Sequence, residues 1–366
     1  MIIERISILN FKNIEEADLS FSPKMNYFFG NNGMGKTNLL DALFYLSFTK
    51  NHTNLLDSQL IKHDEEFCVL QGYYIDNGIN EEIYCGIKHK QRKVFKRNKK
   101  EYERLSEHIG LIPIVMISPD DTELIQGGSV ERRKFVDMII SQYDKEFLRN
   151  LIHYNKVLQQ RNSLLKERAV LSDNELFDIL DEQLSSAGEI IYQKRKEFIS
   201  DFRPIFQKYY QAISDGCESV DLQYDSHLNT LSLPQSLKEK RENDKILGYT
   251  SIGIHKDDLS FLLGNHLIRK IGSQGQNKTY LIALKLAQFH FLLQKNTSVP
   301  ILLLDDIFDK LDANRVERII RLVTNDEFGQ IFVTDTNRKY LDEILRDMKH
   351  DYKLFQVEDG KIKELI

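Results

Sequence analysis

Residues 30–37 read Gly30-Asn31-Asn32-Gly33-Met34-Gly35-Lys36-Thr37, which fits G-x-x-x-x-G-K-[ST] in full. A short apolar run, Tyr27, Phe28 and Phe29, precedes it. An amphipathic stretch from Lys36 to Phe48 follows, with Leu39, Leu40, Leu43 and Leu46 spaced for one helix face. Few patterns restrict a fold so tightly. The glycines let backbone N–H groups turn inward around phosphate oxygens, and the helix start adds the positive end of its dipole. Lys36 is placed to reach the β and γ phosphates, and the Thr37 hydroxyl to ligate Mg²⁺. A chance glycine turn would not need this strand-loop-helix context.

A second constellation suits the same ligand. Ile301-Leu302-Leu303-Leu304-Asp305-Asp306 is a continuous apolar strand ending in two carboxylates. Such a strand is covered on both faces and delivers its acids to the phosphate end of a parallel sheet. Asp305 is then the second Mg²⁺ ligand beside Thr37. Asp306 is placed to orient or deprotonate an attacking water, with Lys36 as its catalytic companion. Two acids after a strand also make a helix cap, and the phosphate loop tips the balance. Upstream, Gly272-Ser273-Gln274-Gly275-Gln276 opens the apolar helix Tyr280 to Leu293. It reads as a second anion site, with a simple serine cap as the bland alternative.

The middle of the chain has a different character. Residues 118–249 are charged and helical, with Phe147, Leu151, Tyr154, Leu158 and Leu165 on one stripe. A further helix is expected from Ser172, with Glu175 completing a capping box. Pro204 is expected to kink or end it, and Gln235 to Asp244 reads as a polar linker or exposed turn. The natural division is one α/β domain made from residues 1–117 plus 250–366, with 118–249 inserted as a helical arm.

These residues together resemble the ABC-type ATPases of the SMC-like DNA-repair group, and within it the RecF family. The phosphate loop is not alone in carrying the likeness. Leu9-Asn10-Phe11-Lys12-Asn13 is similar to the family's F-[RK]-N opening. Pro119-Asp120, Leu124 through Gly128, and Arg132-Arg133-Lys134-Phe135-Val136-Asp137 are similar to a family signature. So are Tyr154 through Asn162 and His255-Lys256-Asp257-Asp258-Leu259. The matches run from residue 5 to residue 337. The chain departs at Ser129, where the family has proline, and at Asp309-Lys310-Leu311-Asp312, where a small residue usually opens the D-loop. Asp306 stands where most ABC proteins have glutamate, and Asp335-Thr336 where transporters have a switch histidine. The 237 residues from Lys36 to Ser273 exceed a transporter's spacing and fall short of a long coiled coil's.

The resemblance implies an α/β ABC-type P-loop ATPase head with an inserted helical arm. It implies ATP and Mg²⁺ as cofactors, bound by residues 30–37 with Lys12 and Asn13. It implies a homodimer closing on two ATP molecules, with Ser273, Gly275 and Gln276 reading the partner's γ-phosphate. The implied activity is a weak, DNA-dependent ATPase that binds single-stranded and double-stranded DNA at gaps or junctions. It would work with RecR and RecO, and indirectly RecA, in replication, repair and the SOS response. Other SMC-like DNA clamps and OLD-like ATPases with little hydrolysis are the alternative.

Composition bears on location and on DNA. No apolar run reaches the ~18 residues of a membrane helix, and the three scattered cysteines suit a reducing cytoplasm. The net charge of −5 requires any DNA surface to be local. Lys88, Lys90, Arg92, Lys93, Lys96, Arg97, Lys99 and Lys100 follow one another without an acid. Ile83, Cys85 and Ile87 alternate before them, which predicts a hairpin with a basic face. Lys88 to Arg97 are therefore the candidate DNA contacts; the tyrosines and phenylalanines read as core before base-stacking platforms, with a few near Phe95 the exception that could stack. A solvated edge that protects a sheet is the plainer use of such a run. Lys145, Arg149, Lys156, Arg161 and Lys166 on the arm form a second, weaker basic face.

Overall fold

The computed structural model describes residues 1–53, 55–167, 174–216, 218–308, 311–325, 327–336 and 351–366. They divide into two compact units. The first comprises Met1–Asp121, Ala212–Gly216 and Gln274–Ile366, and the second Thr122–Gln211 and residues 217–273.

Two six-stranded sheets build the first unit. One is antiparallel throughout, in the order β2-β1-β4-β5-β6-β7. Its strands are β1 (Ile2–Phe11), β2 (Ile14–Ser20), β4 (Phe67–Asp76), β5 (Ile79–Lys88), β6 (Val94–Arg97) and β7 (Lys100–Glu101). The other is parallel apart from one edge, in the order β15-β14-β3-β13-β12-β8. It contains β3 (Met25–Phe29), β8 (Ile114–Ile117), β12 (Ile301–Asp305), β13 (Ile331–Asp335), β14 (Tyr352–Glu358) and the antiparallel β15 (Lys361–Glu364). All five residues of β12 and of β13 are buried, as strands covered on both faces must be. Phe28 stacks on Phe355 at 4.6 Å, and Phe21 meets Phe332 edge-on at 4.9 Å, so neighbouring strands share one aromatic layer.

Helix α1 (Lys36–Phe48) starts inside the phosphate loop, and its residues from Leu39 to Phe48 are buried, so it packs on more than one face. Helix α8 (Gln274–Lys295) is buried from Thr279 through Phe289, which explains its nearly continuous apolar character. Helix α9 (Ala313–Val323) buries Val316, Ile319, Ile320 and Val323 and is capped by Asp312, which accepts from the Arg315 N–H at 2.9 Å.

The second unit contains α2 (Thr122–Gln126), α3 (Ser129–Tyr143), α4 (Lys145–Lys166), all but the last three residues of α5 (Asn174–Ser214), α6 (Leu233–Leu247) and α7 (Ile268–Ile271). A small sheet joins them, with β10 (Asp258–Leu263) between β9 (Val220–Asp225) and β11 (His266–Leu267). The expected start at Ser172 lies outside the described residues.

The fold departs from three sequence expectations. Helix α5 runs through Pro204. Its stripe of Phe198, Phe202, Phe206 and Tyr210 is buried on both sides of the proline, and that packing outweighs one missing backbone bond. Gln235 to Asp244 is a helix, not a linker. Leu233, Leu237, Arg241 and Asp244 recur on one buried face, and Gly248 ends the helix in the left-handed region at φ 73°. Finally, residues 250–273 belong with the second unit, because β10 is fully paired with β9.

The second unit holds its helices with buried ions. Arg161 is fully enclosed and bonds Asp181 at 2.7 Å, Asp244 at 2.8 Å and Thr250 at 2.9 Å. Asp244 is equally enclosed, and its other oxygen accepts from the Ser251 N–H and hydroxyl. An amide at position 244 cannot accept on both sides. Asp244→Asn is therefore expected to cost about 1.5–3 kcal/mol, read as a lower urea midpoint for the transition that reports helix loss. An unchanged midpoint would show that Arg161 needs no carboxylate there.

Candidate active site

The site is built from the carboxyl ends of three neighbouring parallel strands. Strand β3 feeds the phosphate loop, β12 ends at Asp305, and β13 lies between them, with Asp305 in register with Thr334 and Thr334 with Phe28. Ligand sites form at this edge of an open parallel sheet because the loops diverge there.

The loop's shape explains two of its glycines. Gly35 has φ 108°, and a Cβ there would stand 2.7 Å from Asn13 Oδ1. Gly30 is pressed against the backbone of β14, where a Cβ would fall 2.2 Å from the Val357 carbonyl oxygen. Asn13 thus lies directly against the loop, and its Oδ1 accepts from Asn38 Nδ2 at 2.7 Å. The β14–β15 turn also touches the loop, where Gly360 N–H donates to the Met34 carbonyl at 2.9 Å.

Lys36 is 4 % exposed and donates to the carbonyls of Gly30 at 2.8 Å and Asn31 at 3.1 Å. Its ammonium lies 3.9 Å from Asp306. The loop therefore holds the lysine over its own mouth, where phosphates would replace the carbonyls. Thr37 Oγ1 donates to the Asp305 carboxylate at 2.9–3.0 Å. Asp305 also accepts from the Thr334 hydroxyl at 2.7 Å. Burial raises the Asp305 carboxyl above its ordinary range, against the bonds from Thr334 and Thr37, and the charges of Asp306 and Asp41 push the same way. A buried carboxylate beside a threonine hydroxyl supplies the oxygen donors that a hard cation takes. Mg²⁺ asks for only one or two protein ligands and keeps several waters. Among the described residues no cluster of three or more His, Cys, Asp or Glu side chains offers a different metal site.

The other expected residues are distributed as follows. Lys12 sits beside the loop, but its ammonium is paired with Asp41, a buried acid one turn along α1 from Thr37. Ser273 is exposed immediately before α8, and Gly275 and Gln276 occupy the first turn of that helix. Arg315 reaches this turn, with its Nη1 bonding Thr279 Oγ1 at 3.1 Å. Asp309 and Lys310 of the D-loop segment lie outside the described residues. Asp335 accepts from the Tyr27 hydroxyl at 2.8 Å.

The basic hairpin exists, with β5 paired to β6 from Ile83↔Arg97 to Gly86↔Val94. Its charges are not equally available. Lys88, Lys90 and Arg92 are exposed. Lys93 instead points inward, 3.0 Å from Asp57 and bonded to the Tyr45 hydroxyl at 2.9 Å. Arg97 is held by Glu81 through two bonds, and Lys96 lies over the Tyr84 ring. Phe95 is core, 4.8 Å from the His108 ring, and is no stacking platform. On the arm, Arg161 is a buried structural ion and leaves the candidate basic face.

Sequence reasoning missed Thr334. It lies between Asp305 and Asp306 in the bonding pattern but one strand away in sequence. Only the strand register reveals it.

Comparison with known proteins identifies the family. Residues 2–363 match the family described as RecF/RecN/SMC N terminal domain. A relative from Azobacteroides pseudotrichonymphae, described as DNA replication and repair protein RecF, is 68% identical and covers 100% of both chains. A Bacteroides fragilis protein of the same description is 59% identical over 100% of this chain and 99% of its own. Among solved structures, the recombination mediator protein RecF with ATP in the RecFOR pathway superposes with a TM-score of 0.89. It is 30% identical and covers 100% of this chain and 98% of that one. An Smc head bound to a winged-helix domain of ScpA shares the fold at a TM-score of 0.60 and 16% identity, covering 97% of that chain. These matches favour RecF over the OLD-like alternative.

Proposed function

The chain belongs to the RecF family of the RecF/RecN/SMC ATPases, and on that premise we propose how its site works. It is a RecF-like ATPase of DNA replication and repair with an ABC-type fold. The observation that carries the mechanism is the convergence of Lys36, Thr37, Asp305 and Asp306 on one phosphate loop.

ATP phosphates enter the loop mouth and take Lys36 from the carbonyls of Gly30 and Asn31. Thr37 and Asp305 would hold Mg²⁺, which when bound would supply positive charge against that developing on the phosphates. Asp306 orients the attacking water and accepts its proton. As a shorter acid than glutamate, Asp306 makes turnover slow. ATP serves as a switch that closes two copies of the chain, with each Ser273 reading the γ-phosphate held by the other. Lys12 exchanges Asp41 for nucleotide in that state, beside Asn13. No described helix is long and apolar enough to cross a membrane, and the proposed place of work is the cytoplasm. The closed dimer binds DNA at gaps or junctions and acts with RecR and RecO to assist RecA loading.

The exposed residues Lys88, Lys90 and Arg92 are the proposed DNA contacts. The test is gapped-DNA binding, and its effect on ATP hydrolysis, across a salt series. Wild type is expected to hydrolyse ATP faster with DNA. Replacing the three basic residues by alanine is expected to lower the slope of log affinity against log salt by about one for each phosphate no longer neutralised. An unchanged slope would move the DNA surface away from this hairpin.

A further inference from the structure

Thr334 is completely buried at the end of β13, in register with Asp305 on β12. Its hydroxyl makes two bonds that join the paired acids. It donates to Asp305 Oδ1 at 2.7 Å and accepts from the Asp306 N–H at 3.1 Å. One hydroxyl hydrogen is thus committed to the cation-binding carboxylate, and one lone pair to the backbone of the water-orienting residue.

That backbone is unusual. Asp306 has φ 44°, in the left-handed region that residues other than glycine seldom adopt. Such a conformation persists only where its surroundings hold it. The Asp306 N–H is held at both the Thr334 hydroxyl and the Thr334 carbonyl, the latter at 3.3 Å. Left-handed geometry turns the Asp306 side chain out of the strand's alternation, toward Lys36 at 3.9 Å. Thr37 also donates to Asp305. It belongs to the nucleotide's own loop, however, whereas Thr334 belongs to a central strand that nucleotide does not build.

We propose that Thr334 is the positioning residue of the hydrolytic site, its hydroxyl fixing the Asp305 carboxylate and the Asp306 backbone as one unit. This rests on the ATPase reading above. Binding and chemistry then have separate supports. Phosphate capture depends on the loop and Lys36, while the joint placement of the Asp305 carboxylate and the Asp306 backbone depends on Thr334.

The test compares wild type, Thr334→Val, Thr334→Ser and Asp306→Asn. Valine keeps the shape and removes the hydroxyl, and serine returns the hydroxyl. Thr334→Ala stands in if the valine variant fails to fold. Partners that orient first-sphere ligands typically contribute about 10–100-fold. Thr334→Val is therefore expected to lower kcat by about 10–100-fold, with KM for ATP changed less than about threefold. Serine should recover most of the loss. Mn²⁺ affinity of the analogue-bound protein, read by EPR, should weaken over the same range in valine and recover in serine. Equal kcat and equal Mn²⁺ affinity in wild type and valine would overturn the role, as would equal losses in valine and serine. Wild type without hydrolysis, or Asp306→Asn with full hydrolysis, would instead overturn the catalytic reading. The Mn²⁺ comparison would then still decide Thr334.

Discussion

Lys36→Ala is expected to lower kcat/KM for ATP by about 10²–10³-fold, the usual effect of removing one preorganised charge from a developing phosphate or oxyanion. The loop is shaped around this buried lysine, which its own carbonyls hold at 2.8 and 3.1 Å. An alanine removes the cation and leaves two carbonyls facing incoming phosphate oxygens. Lys36→Arg should not rescue, because a planar guanidinium is larger and cannot present the same point charge from a site 4 % exposed. Steady-state hydrolysis with a parallel nucleotide-binding titration checks both variants. An alanine variant within about threefold of wild type would remove Lys36 from the catalytic role.

The second large effect concerns Ser273. A hydroxyl that bonds a charged phosphate contributes about 1.5–3 kcal/mol, and a symmetric pair has two such bonds. Ser273→Arg removes both hydroxyls and adds bulk at the start of α8. The ATP-dependent dimer should weaken by at least about 10²-fold. ADP lacks the group that Ser273 would read, so it should fail to close even the wild-type pair. The ADP result separates γ-phosphate reading from a helix cap, because a cap serine would serve equally with either nucleotide.

Legibility in the sequence followed how local the cause was. The phosphate loop and α1 are written in a contiguous motif, and α1 begins at Lys36 as its spacing requires. The run Ile301 to Asp305 is legible because a strand buried on both faces is apolar without alternation. What failed depended on distant partners. Helix α6 looks polar, yet Arg241 and Asp244 are buried because Asp178, Asp181 and Arg161 meet them from other helices. The signs were present in Leu233, Leu237 and the terminal Gly248, but polar content outweighed them. Pro204 was misleading because aromatic packing on both sides keeps α5 intact. Lys93 counted as one more surface charge until Asp57 and Tyr45 were brought beneath it by the fold. Lys12 likewise carries a nucleotide-binding motif in sequence but an ion pair with Asp41 in the fold. Thr334 had no sequence signal at all, since its role comes from the register between two strands that sets it beside Asp305, 29 residues away.

Nucleotide-controlled closure is the claim on which the DNA and partner roles depend. Mass by light scattering tests it most directly, with no nucleotide, with ADP and with a slowly hydrolysed ATP analogue, for wild type and Ser273→Arg. The expected result is a wild-type monomer that doubles in mass with the ATP analogue alone, and a variant that stays monomeric throughout. A mass independent of nucleotide, or a variant that dimerises like wild type, would contradict closure through Ser273.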